Sequence, residues 1–212
     1  MNRKTVTQPG ATADPHHDRI TIDGKPLPTL PAYSYFLLHK PVGVVSTLAD
    51  PQGRPTVREL LSARVSQRLF PVGRLDYDSS GLLLMTNDGE LTHRLTHPRY
   101  QVSKTYRVKV YGLPDRAALE RLRQGVSLPE GQTAPAEVKL LKASERTSWL
   151  EITVSEGRKR QVRHMCEAVG HPVTKLIRVC LGPLSLGNLP AGAFRPLTPQ
   201  ELHALRRAAG LA

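Results

Sequence analysis

The stretch VGRLDYDSSGLLLMT, residues 72–86, sets an acidic side chain, Asp76, on a short turn between two apolar runs. A solvated loop with two aspartates is normally flanked by more polar sequence, whereas residues 82–85 must be buried within a few positions of this acid. The pattern is typical of a lone catalytic carboxylate. Asp78 raises the alternative of a paired-acid hydrolase, but one of two acids on a tight turn is more often the turn former, and we assign that role to Asp78.

The charge of the chain indicates an anionic partner. Its 212 residues include 30 Lys and Arg against 18 Asp and Glu, which gives a formal net charge of +12. Such an excess is typical of nucleic-acid binding, and no amphipathic cationic anchor or lipidation motif favours a membrane surface instead. The length and the 39% of hydrophobic residues allow one large domain or two small ones, and they argue against disorder of the whole chain.

The cysteines and histidines argue against a metal site. Cys166 and Cys180 form no CxxC pair. His93 and His97 are four residues apart on a predicted helix, but they lack both the HExxH glutamate and a third ligand. No apolar run approaches the ~20 residues of a membrane span, and the N-terminus lacks the apolar core of a secretory signal. We therefore expect a cytoplasmic protein with reduced thiols and no metal ion.

Four segments are predicted along the chain. Residues 1–17 form a flexible leader, because they are polar and rich in Pro and Gly. Residues 18–32 form a small hairpin around an Asp-Gly turn, followed by a linker. Residues 33–207 form the compact domain, and residues 208–212 are a C-terminal tail.

Strands and helices follow one another irregularly in the compact domain. The predicted strands are residues 35–39, 104–111, 136–142 and 149–155, and the predicted helices are 56–63, 90–96, 115–124 and 199–208. Strands without regular βαβ alternation predict an α+β fold. Period-two alternation within 104–111 puts Tyr106 on the inward face, where a tyrosine is by default a core residue with a satisfied hydroxyl.

The second informative element is EGRKRQVRHM, residues 156–165, because Gly157 ends a strand and a helix is predicted directly after it. The buried stripe of this helix consists of Val162, Met165, Cys166 and Val169. Its first turn carries Arg158, Lys159 and Arg160. Because cations oppose the dipole at a helix N-terminus, this arrangement predicts an anion nearby.

These segments resemble the RsuA branch of the pseudouridine synthases, enzymes that modify ribosomal RNA. The matches are GRLDxxSxGLLLxT at residues 73–86, GRxRQ(V/I)R at 157–163, KxY at 104–106, KPxG at 40–43 and L-x-R-x-x-(I/L)-G-P at 176–183. The resemblance covers roughly residues 33–205, with the motifs in the order that the family has them.

The resemblance implies a pseudouridine synthase fold, a mixed and mostly antiparallel sheet in two subdomains flanked by helices, with the catalytic cleft between them. It implies that Asp76 is the catalytic residue, that Tyr106 lies in the active site and that Arg163 pairs with the catalytic aspartate. An aliphatic side chain within residues 176–186 would pack against the target base. The hairpin at 18–27 resembles the end of an S4 RNA-binding domain whose helices have no room here, and we interpret it as a remnant.

The implied reaction converts a uridine of ribosomal RNA, on a flipped-out nucleotide, into pseudouridine. Residues 50–57 and 86–91 favour 23S over 16S RNA as the target. The C1′–N1 bond breaks and the base rejoins through C5 without net redox change, so we expect no cofactor. Asp76 could act as a nucleophile or remove a sugar proton in a glycal route, and the sequence leaves both open.

The expected partner is ribosomal RNA or a ribosomal subunit precursor, bound by a monomer that needs no membrane and no small-molecule cofactor. The candidate RNA-binding residues are Lys40, Arg74, Lys104, Arg158, Lys159 and Arg160. The alternative function is that of a non-catalytic RNA-binding protein of ribosome assembly.

Overall fold

The N-terminal hairpin has the tight turn that the sequence predicts. The structure, a computed structural model, describes residues 2, 4–14, 17–26, 32–62 and 64–211, and it divides the chain into two units, Met1–Ala32 and Tyr33–Ala212. In the first unit, β1 (Thr21–Ile22) pairs antiparallel with β2 (Lys25–Pro26). Asp23 and Gly24 both have positive φ, 51° and 75°, as a type I′ turn requires.

Parts of the N-terminal prediction stay untested. Residues 27–31, which include the end of the predicted hairpin and most of the linker, lie outside the described residues. The flexible leader and the S4 origin of the hairpin therefore stay predictions.

A nine-stranded mixed sheet organises the second unit. Its described strands are β3 (Tyr35–Lys40), β4 (Phe70–Pro71), β5 (Ser80–Thr86), β6 (Lys104–Tyr111), β9 (Glu137–Ala143), β10 (Thr147–Val154), β11 (Val173–Leu181), β12 (Leu184–Ser185) and β13 (Phe194–Pro196), while β7 (Ser127–Leu128) and β8 (Gly131–Gln132) form a separate hairpin. The order in the sheet is β13-β3-β5-β11-β6-β10-β9, with β4 paired to β5 and β12 paired to β11. The pairing of β5 with β11 is parallel, and the other pairings described in this sheet are antiparallel. The predicted α+β fold is confirmed.

Five α-helices are described beside the sheet, and their ends follow from capping residues. They are α1 (Val57–Ser62), α2 (Gly89–Thr96), α3 (Arg116–Gln124), α4 (Gln161–Ala168) and α5 (Pro199–Ala208). The carboxylates of Asp88 and Asp115 accept backbone N–H groups at the starts of α2 and α3, and Thr198 forms a capping box with Glu201 before α5. In the described ranges, no helix is long and apolar enough to cross a bilayer.

Tyr106 lies at the junction of two apolar clusters. One cluster packs β6 and β10 against α3 and α4 and includes Val108, Ile152 and Cys166, all fully buried. The other lies beside β3 and β5 and includes Leu38 and Leu83. Tyr106 packs against both clusters, so the inward orientation predicted from its alternation is confirmed. Cys166 is a core residue, as predicted.

The parallel contact between β5 and β11 depends on a glycine. Gly81 lies opposite Arg178 and has a φ of +118°, a conformation that a side chain disfavours. A Cβ on Gly81 would lie 2.3 Å from the carbonyl oxygen of Arg178 and 2.4 Å from its nitrogen. The two strands therefore approach more closely than any side chain at residue 81 allows.

Gly81→Ala should separate β5 from β11 and lower the free energy of unfolding by about 2–4 kcal/mol, through overlap with backbone and an unfavourable φ. Gly89→Ala is the control, since a Cβ there meets nothing within 4 Å. That variant should be neutral or gain up to about 1 kcal/mol. Urea unfolding of both variants gives the comparison, and a Gly81→Ala protein as stable as the wild type would contradict the close approach.

Candidate active site

Hydrogen bonds before and after Asp76 fix the backbone of the turn that carries it. The N–H of Ser79 donates to the carbonyl of Asp76 over 3.1 Å and closes the turn directly before β5. The hydroxyl of buried Ser46 accepts from the N–H of Leu75 at 3.1 Å and donates to its carbonyl at 2.8 Å. The side chain of Asp76 is 39% exposed, so it is less buried than the apolar flanks suggest and is open to a substrate.

The KPVG segment supports this turn from the adjoining loop. The N–H of Gly43 donates to the carbonyl of Tyr77 over 2.9 Å. Lys40 is fully buried, and its ammonium donates to the carbonyls of Pro41 at 2.8 Å and Val44 at 2.7 Å. Burial lowers the pKa of Lys40 to about 8, although the negative charges of the two turn aspartates act in the opposite direction.

The buried position of Lys40 corrects one sequence-based expectation. A side chain with no exposed surface and an ammonium bound to two carbonyls does not contact RNA phosphates. Pro and Gly in KPxG gave the segment the appearance of a surface turn. The structure assigns it to the loop that holds Asp76 in place.

Arg163 holds the turn, but through a different acid than the resemblance implied. Its Nη2 lies 3.1 Å from Oδ1 of Asp78, and it donates to the carbonyl of Asp78 at 3.0 Å and to the hydroxyl of Ser79 at 3.1 Å. The ion pair of Asp76 is instead with Arg160, whose Nη1 lies 3.8 Å from Oδ2. The prediction that Arg163 pairs with Asp76 is wrong about the partner.

The reason is that Arg163 approaches the turn from its buried side. The Arg163 side chain is 10% exposed, and Ser79 and the backbone of Asp78 present their oxygens there. Arg160 reaches Asp78 as well, at 3.2 Å. Desolvation would raise the pKa of Asp78, but the hydrogen bond from Arg160 and the charges of both arginines hold it below its ordinary value. Asp78 is thus an ion-paired residue rather than only a turn former.

The basic segment before α4 also differs from its prediction. The helix begins at Gln161, so Arg158, Lys159 and Arg160 precede it rather than form its first turn. Arg160 is the N-cap residue with a φ of +53°, a left-handed conformation that costs energy in a non-glycine residue. The expected opposition to the helix dipole therefore does not arise, although the predicted anion is present as the aspartate pair.

Arg158 serves the structure of the segment. Its Nε lies 2.8 Å from Glu156 Oε2, and its terminal nitrogens donate to the carbonyls of Gly131 at 2.9 Å and Gln132 at 2.6 Å. These bonds attach the β7–β8 hairpin to the segment before α4. Because the donors are used internally, Arg158 fits an RNA-binding role less well than the exposed Lys159 does.

A cavity of about 300 Å³ brings together two of the three predicted catalytic residues, and Arg163 is not among its lining residues. Asp76 and Tyr106 both line it, and Val154, Leu176 and Leu181 form part of an apolar wall. Its cationic side chains are Arg74, Lys104, Arg158, Lys159, Arg160 and Arg178, and its acidic ones are Asp76 and Glu156. Five of the six predicted RNA-binding residues thus lie at the same cavity as the carboxylate, and Lys40 does not.

The sequence did not indicate the residues that hold the turn of Asp76 in position. Ser46 lies 29 positions before Leu75 in the chain, and nothing in the neighbouring sequence indicates that its hydroxyl binds the backbone of Leu75. Ser79 belongs to the motif, where only its buried position distinguishes it. Arg178 carried a usable signal, because a cation in the middle of the apolar run LIRVCL is expensive to bury.

Comparison with known proteins shows the family of this chain. The model of the RNA pseudouridylate synthase family matches residues 34–168. The chain is 45% identical over 208 residues to ribosomal large subunit pseudouridine synthase B of Bacillus subtilis, an alignment that spans 97% of this chain and 84% of that protein. It is 42% identical over 174 residues to ribosomal large subunit pseudouridine synthase E of Xanthomonas campestris, across 75% of this chain and 92% of that one.

Solved structures give the same result for the fold. A crystal structure of a pseudouridylate synthase superposes with a TM-score of 0.74 at 31% identity, over 96% of this chain and 86% of its own. Human RNA pseudouridylate synthase domain containing 1 shares the fold with a TM-score of 0.55 at 18% identity, over 84% of this chain and 93% of its own.

A mixed sheet that carries Asp76 at a basic cavity, together with these matches, defines the protein as an RNA-modifying isomerase. The chain belongs to the RNA pseudouridine synthase family. It is accordingly an enzyme with pseudouridine synthase activity.

Lys40→Met removes the buried ammonium and should change how the free energy of unfolding depends on pH. The pKa of Lys40 is about 8 in the folded protein and 10.5 when unperturbed, so the unfolded chain binds more protons between these values. The stability contributed by Lys40 therefore rises with pH in this window. The difference in unfolding free energy, wild type minus variant, should grow by on the order of 2–3 kcal/mol across it.

Urea unfolding at a series of pH values measures this difference. Lys139→Met, at an exposed position on β9, controls for the removal of a lysine charge. A difference that stays flat or falls across the window would contradict the buried, desolvated ammonium.

Arg163→Gln and Asp78→Asn should each slow turnover by roughly 10–100-fold, because either change releases the turn that positions Asp76. RNA affinity should change little. Since both remove the Arg163–Asp78 ion pair, the double variant should be slower by less than the product of the two single effects. Glu120→Gln, which breaks the exposed ion pair with Arg123 on α3, is the control and should leave turnover unchanged. Single-turnover rates measure these effects. Fully additive losses in the double variant would contradict an ion pair shared by Arg163 and Asp78.

Proposed function

We propose that this protein converts a specific uridine of ribosomal RNA, in 23S rather than 16S RNA, into pseudouridine, with Asp76 as the nucleophile on a flipped-out nucleotide. The observation that carries the proposal is the placement of Asp76 and Tyr106 on one cavity of about 300 Å³ surrounded by cations. A cavity of that size is suited to one nucleoside and is too small for a stretch of folded RNA.

The reaction needs a carboxylate with access to the sugar. Heterolysis of the C1′–N1 bond leaves an electron-deficient C1′, which a carboxylate stabilises by covalent attack, as in retaining glycosidases. The half-exposed carboxylate of Asp76 has this access, and the guanidinium of Arg160 at 3.8 Å steadies its orientation. The freed base then rotates and C5 attacks C1′, after which C5 loses its proton.

The target nucleotide must leave its stack to reach Asp76. Unstacking costs a few kcal/mol, and stacking of the extruded base on an aromatic ring returns part of that cost. The ring of Tyr106 is available for this contact because it lines the cavity. Leu176 and Leu181 are the aliphatic side chains of the predicted range that reach the cavity, and they would contact the other side of the base.

RNA binding follows from the surplus of positive charge around the site. Arg74 and Lys159 are exposed at the cavity, where they can neutralise phosphates on either side of the extruded nucleotide. Contacts of this kind fix the position of the RNA without reading its sequence. The choice of uridine must therefore come from the shape of the RNA and from surfaces beyond the cavity.

The large-subunit target is supported by two features. The relatives described above are named for the large ribosomal subunit. The segments DPQGRPTV (50–57) and TNDGEL (86–91), by their resemblance to family members that act on large-subunit RNA, favour the same target. A ribosomal RNA substrate is in turn consistent with a cytoplasmic location.

Asp76→Asn should abolish the reaction while RNA binding stays close to that of the wild type. The measurement is release of tritium from C5 of uracil, with 23S and 16S transcripts and immature subunits as substrates. Asparagine keeps the shape but neither attacks C1′ nor accepts a proton, so the rate should fall by at least about 1000-fold. Asp115→Asn is the matched control, since asparagine also caps α3.

Two outcomes would contradict the proposal. Release of tritium by Asp76→Asn at the wild-type rate would remove Asp76 from the chemistry. Binding of RNA by the wild type without release from any ribosomal substrate would favour a non-catalytic role in ribosome assembly. Release from 16S but not 23S transcripts would overturn the proposed target alone.

A further inference from the structure

Arg178 is a buried cation for which the reaction scheme above has no use. It lies on β11 with 2% of its surface exposed, and its Nε donates to the carbonyl of Leu82 over 2.7 Å. Its Nη2 is buried and has no hydrogen-bond partner among the described residues. Because an unpaired N–H of a buried charged group costs several kcal/mol, this arrangement calls for a functional explanation.

A second cation in the same cavity shares this lack of acidic partners. Lys104 on β6 is partly buried, and its ammonium donates to the carbonyl of Val102 over 3.0 Å. Desolvation and the charge of Arg178 lower the pKa of Lys104. No carboxylate is paired with either side chain among the described residues, whereas Arg158, Arg160 and Arg163 each have one.

The strand register brings Arg178 to the side of the sheet where the base would lie. Arg178 is opposite Tyr106 on β6 and opposite Gly81 on β5, and residues in register project to the same face of a sheet. Gly81 contributes no side chain to that face. The guanidinium of Arg178 therefore shares its side with the Tyr106 ring, and both line the cavity that contains Asp76.

We propose that Arg178, assisted by Lys104, binds a carbonyl oxygen of the target uracil and stabilises the uracil anion that leaves C1′. This inference rests on the proposed function. When the C1′–N1 bond breaks, its electron pair stays with N1 and spreads to the ring carbonyl oxygens. The bond that forms at the same time joins C1′ to a carboxylate oxygen of Asp76, so atoms and charge balance.

A buried donor is effective at this step because its charge is not screened by water. Hydrogen-bond donors that are fixed in advance around a developing oxyanion stabilise the transition state more than the ground state. The same contact would retain the free uracil while it rotates. Attack of C5 on C1′ then uses the electron pair of the anion, restores the Asp76 carboxylate and leaves the C5 proton to be removed.

The group that Arg178 would bind is an oxygen with negative charge. Both the uracil anion and an RNA phosphate offer such an oxygen. The burial of Arg178 favours the uracil. A phosphate follows the backbone at the mouth of the cavity, where Arg74 and Lys159 are exposed, whereas the flipped base is the part that enters. The two sources predict different kinetics, because a phosphate contact acts on affinity and its salt dependence, and a contact with the leaving group acts on the chemical step.

The first test compares single-turnover rates with RNA affinity for Arg178→Met and Lys104→Met. Removal of one donor to an oxyanion typically costs 100–1000-fold in rate. Arg178→Met should therefore lose about 100-fold or more in the rate of pseudouridine formation, with Kd and its salt dependence unchanged. Lys104→Met should show a smaller loss of the same kind, and Arg178→Lys should recover part of the rate. Arg121→Met is the matched control, because Arg121 donates to the carbonyl of Ala168 from an exposed position on α3.

The second test varies the leaving group. The anion of 5-fluorouracil is more stable than that of uracil, since fluorine withdraws electrons, and it depends less on an external cation. The loss caused by Arg178→Met should therefore be clearly smaller for RNA with 5-fluorouridine at the target. Consumption of the fluorinated nucleoside is measured by chromatography after digestion.

The outcomes separate this inference from the proposed function. If wild-type protein forms pseudouridine but Arg178→Met has a raised Kd, a weaker salt dependence and a normal rate, Arg178 binds phosphate and the inference is overturned. An equal loss on both leaving groups also overturns it. Absence of pseudouridine with the wild type means instead that the proposed function has failed. Thermal unfolding checks each variant, and Lys104→Met and Arg178→Lys decide the question if Arg178→Met does not fold.

Discussion

The bond of Arg163 to the turn of Asp76 is the constraint on which the rest of the site depends. One guanidinium nitrogen on α4 contacts the carboxylate and carbonyl of Asp78 and the hydroxyl of Ser79. It thereby joins the turn before β5 to the basic segment before α4, two parts of the chain that are about 80 residues apart. The orientation of Asp76 and the position of Arg160 next to it follow from this connection.

The cations of the site differ in their partners, because the fold brings acids next to some of them and backbone carbonyls next to others. Arg158 and Arg163 are neutralised by acids and serve to fix loops. Lys104 and Arg178 are held by backbone carbonyls instead, so their charges remain available inside the cavity. Every such interaction is stronger where the charge is shielded from bulk water. The cavity therefore suits a substrate that gains negative charge during the reaction, and the exposed cations suit its phosphates.

Local patterns predicted most elements because the forces that form them are local. Asp115 caps α3, and the stripe that begins at Val162 fills α4 to its last turn, as their spacing required. The prediction for Arg163 was wrong about its partner because Asp76 and Asp78 lie two residues apart, and only the approach of α4 from the buried side selects between them. Lys40 was taken for a surface cation because KPxG is typical of exposed turns, whereas β3 carries this lysine into the interior.

The sequence by itself determined the class of fold, the turn that presents Asp76 and the surplus of positive charge, since periodicity, turn residues and net charge are properties of the chain. Only the tertiary structure decided which cation meets which acid, that the Ser46 hydroxyl binds the backbone of Leu75, and that Arg178 lines the cavity and has a buried nitrogen without a described partner. These features arise where strands distant in the chain are brought into register. The parallel contact of β5 with β11, which the missing side chain of Gly81 allows, sets that register. It thereby sets the positions of the β11 side chains that line the cavity.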